Sequence, residues 1–268
     1  MLSFFSINKH TTMKKFIILL TIFSLTLSQQ AFGWGRKGHD AIAYIAECNL
    51  TKKAKKNIAK YLDHSIVYYS SWMDDYRNTP EYKQTSEWHM AAVDENLFYT
   101  DAVRNPKRDA VSELEKAIDK LKNYKQLDDS TVAVNLKYII HLTGDMHCPA
   151  HVFYPDKKIW YKINERGQSY SYHSTWDTGI IETTHKWSYT EYQQQLDRCS
   201  KQEKKRIAAG TPREWFHETA VDCQHIYDMA PEGSELSTDF MNAAHPLAES
   251  QILKAGYRLA RILNELFN

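Results

Sequence analysis

Apolar residues recur at helical spacing along most of this chain, and the pattern predicts a mostly α-helical fold. The stretch 109–124 is the clearest case, because Val111, Leu114, Ile118 and Leu121 fall on one face and charged residues on the other. Further helices are predicted at 36–48, 52–62, 66–77, 175–186, 189–198, 212–229 and 246–267. No repeat and no Pro/Gly-rich linker interrupts the series, which favours a single helical domain.

The segment from Tyr138 to His151, YIIHLTGDMHCPAH, concentrates three histidines and an aspartate at the end of a buried helix. The four-residue step from His141 to Asp145 places an imidazole and a carboxylate on one face. Pro149 ends the helix, so His151 can point in a different direction, as a second metal ion would require. A histidine in a core is equally typical of ordinary hydrogen bonding. The choice between metal binding and packing therefore depends on partners elsewhere in the chain.

One stretch departs from the helical pattern. Residues 157–172 alternate between apolar and polar positions, are rich in β-formers, and centre on the turn sequence Asn164-Glu165-Arg166-Gly167. This predicts one small β-hairpin as the only sheet of the fold.

The N-terminus has the composition of a secretory signal peptide. Lys14 and Lys15 precede the apolar run 16–27, and Ala31 and Gly33 supply small residues for cleavage. The run is shorter than the ~20 residues of a membrane span, so we expect an exported chain, secreted or periplasmic, rather than an anchored one. Cleavage after Gly33 makes Trp34 the first residue of a domain spanning 34–268, and residues 1–12 are then an upstream extension.

The charge balance excludes one common way of binding nucleic acid. The full chain has 34 basic and 33 acidic residues, and the segment 1–33 contains three lysines and no acid. The remaining 235 residues therefore have 31 basic and 33 acidic side chains, a net charge of about −2. A protein that contacts many phosphates through its own side chains shows a surplus of Lys and Arg. Any phosphate affinity here must come from another source, such as bound cations.

Four cysteines in an exported chain are typical of a disulfide-bonded domain, and they allow three pairings. We expect Cys48 to pair with Cys148 and Cys199 to pair with Cys223. Cys148 lies inside the histidine-rich segment, so a role as a soft metal ligand is the alternative for that residue.

Partners for the central segment are present on both sides of it. His39 follows Trp34 by five residues, Asp74 and His89 each follow a tryptophan closely, and His173 and Asp177 repeat the His-to-Asp spacing of the central segment. Nitrogen and oxygen donors without a thiolate cluster favour zinc in open, catalytic sites. Two metal ions bridged by a carboxylate can activate water and bind a phosphate. Asp145, in the middle of the segment, is best placed to bridge.

The motifs occur in an order that carries a family resemblance. Trp-Gly-x-x-x-His at 34–39, Trp-x-Asp-x-x-Arg at 72–77, Trp-His at 88–89, His-x-x-Gly-Asp-x-His-x-Pro-x-His at 141–151 and His-x-x-Trp-Asp at 173–177 follow one another. This order resembles the trinuclear zinc single-strand nucleases and 3′-nucleotidases of fungi and plants, which are related to zinc phospholipase C. The resemblance implies a single-domain helical fold of that type with three zinc ions in a cleft.

The resemblance also implies a role for each matching residue. The first zinc would be held by Asp74, His89, His141 and Asp145, its close neighbour by the Trp34 amine and carbonyl, His39 and Asp145, and the third by His151, His173 and Asp177. His147 is not a ligand in that pattern. Asp74 would orient the attacking water. Arg77 is a candidate for binding a nonbridging phosphate oxygen, and the alternative for it is a structural ion pair.

The implied activity is hydrolysis of single-stranded DNA or RNA, and of 3′-nucleotides, to 5′-phosphate products by a monomer without stable membrane insertion. Met90 and Ala92 stand where the fungal and plant enzymes usually have an aromatic and an acidic residue for the base, so base recognition is expected to differ. The alternatives are a zinc phospholipase C and a non-catalytic zinc-binding protein. The Trp34-to-His39 spacing and the aspartate at position 177 favour the nuclease, and no ligand of the pattern is missing.

Overall fold

The computed structural model of the chain describes residues 34–106 and 108–268, apart from the side chain of Thr184, and it confirms the mostly helical prediction. The helices are α1 (Arg36–Cys48), α2 (Lys52–Ile58), α3 (Trp72–Tyr76), α4 (Ala110–Leu121), α5 (Asp129–Asp145), α6 (Tyr172–Ser174), α7 (Ile180–Thr184), α8 (Tyr189–Leu196), α9 (Lys201–Ile207), α10 (Pro212–Cys223), α11 (Ile226–Met229) and α12 (Thr238–Phe267). Turns of 3-10 helix lie at Lys83–Glu87, Tyr124–Gln126 and Pro149–His151, and Thr175–Gly179 is a π-helical turn. The described residues belong to one compact unit. The predicted signal segment 1–33 lies outside them.

The predicted helix at 66–77 forms only in its last part, as α3. Upstream of α3 the chain makes successive turns, in which Ser70 N–H donates to the carbonyl of Val67 and Trp72 N–H to that of Tyr69. The carbonyl of Ser70 accepts a hydrogen bond from the ring of His141. Because this carbonyl binds a distant side chain, it does not accept a helical hydrogen bond from the following turn. The local apolar pattern could not reveal this long-range contact.

The C-terminal helix is longer than predicted, because α12 begins at Thr238 and contains Pro246 in its interior. The side chain of Ser237 caps α12 by accepting the Phe240 N–H at 3.0 Å. A proline inside a helix removes one hydrogen bond. Burial of the long apolar face of α12 against α1 and α5 offsets that loss.

Helix α9 was missing from the predicted series, and the stretch 212–229 is divided into α10 and α11. Ser200 and Glu203 form a capping box at the start of α9, but none of its residues is buried. Without a buried face there is no apolar stripe to reveal a helix.

Two small sheets are present among the described residues, so the prediction of a single hairpin was incomplete. Strand β3 (Lys162–Glu165) pairs antiparallel with β4 (Gln168–Ser171), and the turn between them is Arg166 and Gly167, both at positive φ. Strands β1 (Ala91–Ala92) and β2 (Val152–Phe153) pair in parallel. Two-residue strands are too short to show an alternating pattern. This parallel pair brings the chain around residue 89 next to the chain around residue 151.

The core lies where α12 crosses α1 and α5. The contact between α1 and α12 is closest at Gly256, where an added Cβ would lie 2.5 Å from Cγ2 and 2.7 Å from Cβ of Ile45. Those atoms belong to the stiff part of a β-branched side chain. Gly256 therefore fixes the distance at which α12 packs on α1. Among the described residues no helix is both long enough and apolar enough to cross a bilayer.

Gly256→Ala should lower the free energy of unfolding by about 1–3 kcal/mol, the usual cost of overpacking a core. Alanine is the better helix former by about 1 kcal/mol, so a loss of stability would isolate the steric effect. Gly179→Ala is the matched control, because its added Cβ would find no atom closer than 3.8 Å. Urea denaturation measures both variants. Equal stability of Gly256→Ala and the unchanged chain would contradict the close packing of α12 on α1.

Candidate metal centre

Helix α5 delivers the central residues of the site. Its N-terminus is fixed by Asp128, whose carboxylate accepts the Thr131 N–H at 2.8 Å. The last two turns are buried from Ile139 to Asp145, and the helix ends inside the protein. The Asp145 carboxylate at this end is shielded from water, so its charge requires compensation from neighbouring groups.

The two oxygens of Asp145 face different histidines. Oδ2 lies 2.8 Å from Nδ1 of His89 and 3.0 Å from Nε2 of His141. Oδ1 lies 3.4 Å from Nε2 of His39 and 3.5 Å from Nδ1 of His151. The side chain is fully buried. Asp145 thus stands between two sets of nitrogen donors, which is the geometry of a bridging carboxylate.

The orientation of His141 is fixed by its second nitrogen. Nδ1–H donates to the carbonyl of Ser70 at 2.7 Å, so Nε2 points to Asp145 and to Nδ1 of His89, which is 3.1 Å away. A carbonyl partner of this kind sets the tautomer of histidines that bind metal ions. Ser70 is a functional residue that the sequence did not suggest.

His39 reaches the site from α1 because Gly144 makes room for it. The His39 ring stacks on His141 with centroids 4.2 Å apart. A Cβ on Gly144 would lie 2.8 Å from Nδ1 of His39. The glycine of the His-x-x-Gly-Asp sequence therefore allows α1 and α5 to approach closely at the site.

Asp74 and Arg77 form the most open edge of this group. Oδ1 of Asp74 lies 3.8 Å from Nδ1 of His89 and 3.9 Å from Nε2 of His141. The Asp74 side chain is 18% exposed, whereas Asp145 is at 0%. Nη1 of Arg77 pairs with Oδ1 of Asp74 at 3.2 Å. Solvent can reach the group at Asp74, and Arg77 holds a positive charge there.

A second cluster surrounds Asp177, which belongs to the π-helical turn Thr175–Gly179. Nε2 of His173 lies 3.2 Å from Oδ2 of Asp177, and Nε2 of His151 lies 3.8 Å from Oδ1. The rings of His151 and His173 stack at 5.1 Å. Sγ of Cys148 lies 3.8 Å from Oδ1 of Asp177. Turns of π-helix are frequent at functional sites because they re-aim side chains within a helix.

Trp34 lies at the Asp177 end of the site. Its side chain is fully buried, and the next residue, Gly35, donates its N–H to the carbonyl of Asp177. This contact ties the start of α1 to the segment that supplies His173 and Asp177.

Burial and neighbouring charges shift the pKa values of the site in opposite directions. Burial alone would lower the pKa of His141, but the carboxylates of Asp145 and Asp74 outweigh it and raise that pKa to about 9. Burial raises the pKa of Asp177 to about 7 despite the opposing effect of His173. Burial also lowers the pKa of His39 and that of His151. In the metal-free fold, His141 and Asp177 therefore bind a proton more tightly than usual, whereas His39 and His151 bind one less tightly.

The clustered histidines and aspartates have polar atoms without hydrogen-bond partners, as expected of residues that bind metal ions. Among the described residues, buried atoms without a hydrogen-bond partner include Oδ1 of Asp145, Oδ2 of Asp177, Nε2 of His39 and His89, and both ring nitrogens of His151. Buried polar groups without partners are rare in native proteins unless an ion or water binds them. Three groups have ligand atoms within 4.8 Å of one another: His39, His141 and Asp145; Asp74, His89 and His141; and Cys148, His151 and Asp177.

The sequence-predicted residues meet in one region, with two differences from expectation. His141 belongs to two of the three groups, and Cys148 rather than His173 completes the third. His147 is engaged elsewhere, because Nδ1–H donates to the Thr143 carbonyl at 2.7 Å and Nε2 accepts from Arg258 at 2.8 Å. Both of its ring nitrogens are therefore occupied by hydrogen bonds within the protein.

The predicted disulfides are absent, because all four cysteines are free. Cys48 is exposed at the end of α1, whereas Cys148 is buried against Asp177. Cys199 is partly buried and Cys223 is fully buried at the end of α10. Spacing along the sequence could not show that the four thiols lie in such different environments.

A cavity of about 480 Å³ opens beside His89. It is lined by Met90, Ala92, Asn105, Phe153 and Trp160, among others. Phe153 and Trp160 are 37% and 48% exposed, and Trp160 stacks on His173 with centroids 4.6 Å apart. The cavity therefore has aromatic walls and adjoins two of the candidate ligands, His89 in its lining and His173 behind the Trp160 ring.

The sequence of this chain is similar to those of known nucleases. The family model described as S1/P1 Nuclease matches residues 34–268. Endonuclease 2 of Arabidopsis thaliana is 24% identical over 288 residues, covering 94% of this chain and 96% of that protein. Nuclease S1 of Aspergillus oryzae is 23% identical, covering 90% and 94%. Nuclease P1 of Penicillium citrinum is 25% identical, covering 87% and 97%.

Proposed function

This chain belongs to the S1/P1 nuclease family, and we propose that it hydrolyses phosphodiester bonds of single-stranded nucleic acid at a centre of three zinc ions. It is a hydrolase acting on phosphodiester bonds, as its relatives named endonucleases and nucleases support. The same relatives favour a nuclease over a zinc phospholipase C or a non-catalytic zinc-binding protein.

The observation that carries the metal assignment is the division of the Asp145 oxygens between two sets of histidines. Asp74, His89 and His141 would hold one ion on the Oδ2 side. His39 would hold a neighbouring ion on the Oδ1 side, and the family resemblance implies that the amine and carbonyl of Trp34 complete its ligands. Imidazole and carboxylate donors suit zinc, and two ions bridged by a carboxylate lie about 3.5–4 Å apart.

A third ion would be held at Asp177, together with His151 and His173. The unused nitrogens of His151 and the unused oxygen of Asp177 support this assignment. Participation of Trp34 through its amine requires removal of residues 1–33, so export with signal cleavage is part of the proposal. The composition of that segment supports it. We also propose that the exported chain acts as a monomer.

Zinc ions held at these residues would activate water as the nucleophile and neutralise the charge of the phosphate. Asp74, the most exposed carboxylate of the three, would accept a hydrogen bond from the water and orient it toward phosphorus. Arg77 would bind a nonbridging phosphate oxygen while keeping its ion pair with Asp74. Cleavage of the 3′-oxygen bond to phosphorus leaves 5′-phosphate products.

The aromatic cavity beside His89 would receive the nucleobase. Phe153 and Trp160 offer exposed rings for stacking, and base stacking on aromatic side chains contributes about 1–3 kcal/mol per base. Ala92 lines the same cavity and offers no hydrogen-bonding side chain. Stacking on these rings tolerates all bases, so we propose that base preference comes from the polar side chains of Asn105 and Asp109, which line the same cavity.

Trp160→Ala should raise KM for a single-stranded oligonucleotide about tenfold, within the range of stacking energies, and leave kcat nearly unchanged. Trp160→Phe should retain most of the affinity because a ring remains. Steady-state kinetics measure both, with metal content checked because Trp160 contacts His173.

The control for Trp160 is Tyr170→Ala, which removes a ring that is 41% exposed on β4 and outside the cavity lining. It should not change KM. An unchanged KM in Trp160→Ala, with full metal content, would show that the base does not stack there.

The function is tested with the chain starting at Trp34, loaded with zinc, on a panel of substrates. Single-stranded DNA and RNA should be cleaved to 5′-phosphate products, duplex of the same sequence far more slowly, and phosphatidylcholine not at all. Cleavage of phosphatidylcholine alone would support the phospholipase. A fully loaded protein without turnover on any of these substrates would show that the centre is not catalytic.

A further inference from the structure

The thiol of Cys148 shares a buried site with metal-binding atoms. Its Sγ lies 3.8 Å from Oδ1 of Asp177, and the ligand atoms of Cys148, His151 and Asp177 all lie within 4.8 Å of one another. All three side chains are fully buried. Oδ2 of Asp177 and both ring nitrogens of His151 have no hydrogen-bond partner among the described residues. The thiol thus donates a hydrogen bond to Oδ1 of Asp177 and lies beside other polar atoms that have no such partner.

The main chain fixes the position of this thiol. Cys148 N–H donates to the carbonyl of Asp145 at 2.9 Å, and His151 N–H donates to the carbonyl of Cys148 at 3.0 Å. Pro149 follows, and it favours the extended conformation seen at Cys148, with φ −79° and ψ 125°. One hydrogen-bonded turn thus presents both the thiol and the His151 ring to Asp177.

The distances agree with a shared ion. Zinc binds thiolate sulfur at ~2.3 Å and carboxylate oxygen at ~2.0–2.2 Å, so two such ligands in a tetrahedral site lie about 3.6 Å apart. The observed separation of Sγ and Oδ1 is 3.8 Å. The other oxygen of Asp177 faces His173 at 3.2 Å. Sulfur, one imidazole and a carboxylate therefore already lie within reach of one ion, and the ring of His173 lies at the opposite oxygen of Asp177.

We propose that Cys148 is a thiolate ligand of the ion at Asp177, together with His151 and His173; this rests on the metal centre of the proposed function. Coordination replaces the S–H bond by a sulfur–metal bond and releases one proton to solvent, with no change in oxidation state. The site then offers zinc a thiolate in addition to its nitrogen and oxygen donors. It also favours soft ions such as Cd²⁺ more than the two sites that offer nitrogen and oxygen alone.

Cobalt substitution tests the proposal without any measurement of turnover. Co²⁺ bound to a thiolate shows a sulfur-to-metal charge-transfer absorption in the near ultraviolet, which Co²⁺ bound by nitrogen and oxygen lacks. The protein loaded with three Co²⁺ should show this band, and Cys148→Ala should lose it. Cys223→Ala is the matched control, since Cys223 is also free and fully buried, and it should keep the band. A band that persists in Cys148→Ala would overturn the proposal.

X-ray absorption at the zinc edge gives a second test on the unaltered protein, independent of whether a variant folds. One sulfur neighbour at about 2.3 Å for every three zinc ions is expected. Three bound zinc ions with no sulfur neighbour would overturn the assignment of Cys148. An assay of single-stranded DNA cleavage with the same sample tests the proposed function separately. Cleavage and absence of cleavage are each compatible with the presence or the absence of a sulfur ligand.

Discussion

Asp145→Asn should remove two metal ions together and lower phosphodiesterase activity by on the order of 10³-fold or more, the scale seen when transition-state charge stabilisation is lost. Each oxygen of Asp145 faces its own set of histidines. Asparagine keeps the shape of the side chain but replaces one oxygen by an NH2 group, which cannot bind a cation, and it removes the negative charge. Metal analysis of the purified variant and kcat on single-stranded DNA measure the two effects.

The matched control for Asp145 is Asp129→Asn, a substitution of the exposed aspartate in the first turn of the same helix. It should keep all metal ions and nearly full activity, with only a small loss of stability from the helix dipole. Loss of a single ion in Asp145→Asn would show that Asp145 binds on one side only and does not bridge.

Removal of the metal ions should lower the thermal unfolding midpoint by about 10 °C for each tightly bound ion. A ligand that binds only the folded state stabilises it by about 4 kcal/mol when present at 1,000 times its Kd. In a chain of this size each kcal/mol corresponds to about 2–4 °C. The physical reason is the cluster of buried, unpartnered ligand atoms that the metal-free fold retains. Calorimetry before and after chelation measures the change, and added zinc should reverse it.

The stabilisation by zinc should grow as pH rises from 5 to 9. In the metal-free fold the pKa of His141 is raised to about 9 and that of Asp177 to about 7. Groups with raised pKa values bind protons more tightly when folded, so they stabilise the metal-free protein at low pH and lose that contribution as pH rises through those values. Zinc must displace the same protons. Calorimetry with and without zinc between pH 5 and 9 measures the effect. A zinc-induced shift of the thermal unfolding midpoint that is constant with pH, or larger at pH 5, would contradict the raised pKa values of His141 and Asp177.

The parts of the fold that the sequence predicted are those with a local signal. Helix α1 was predicted with its observed bounds, and the capped, buried α5 was predicted as the segment that carries the site. The four-residue spacings in that helix and at His173 and Asp177 placed imidazole and carboxylate groups within 3.2 Å of each other. A helical repeat fixes such distances before any tertiary contact is known.

The parts that were missed depend on contacts between distant segments. The pairing of β1 with β2 joins two residues near position 91 to two near position 152, and no local pattern marks it. Ser70 orients His141 through its backbone carbonyl. Every residue has such a carbonyl, so the sequence could not indicate this role. The free state of Cys148 and its contact with Asp177 follow from the packing of the turn Pro149–His151. The presence of four cysteines in a chain expected to be exported had favoured a disulfide.

The central claim is that α5 organises a three-metal centre around Asp145, and anomalous diffraction from zinc-loaded crystals tests it most directly. Data collected at the zinc edge should show three peaks for each chain. Two peaks should contact Asp145, one through each oxygen, and the third should lie against Asp177 and His151. Fewer than three fully occupied peaks, or an Asp145 carboxylate in contact with only one ion, would contradict the account.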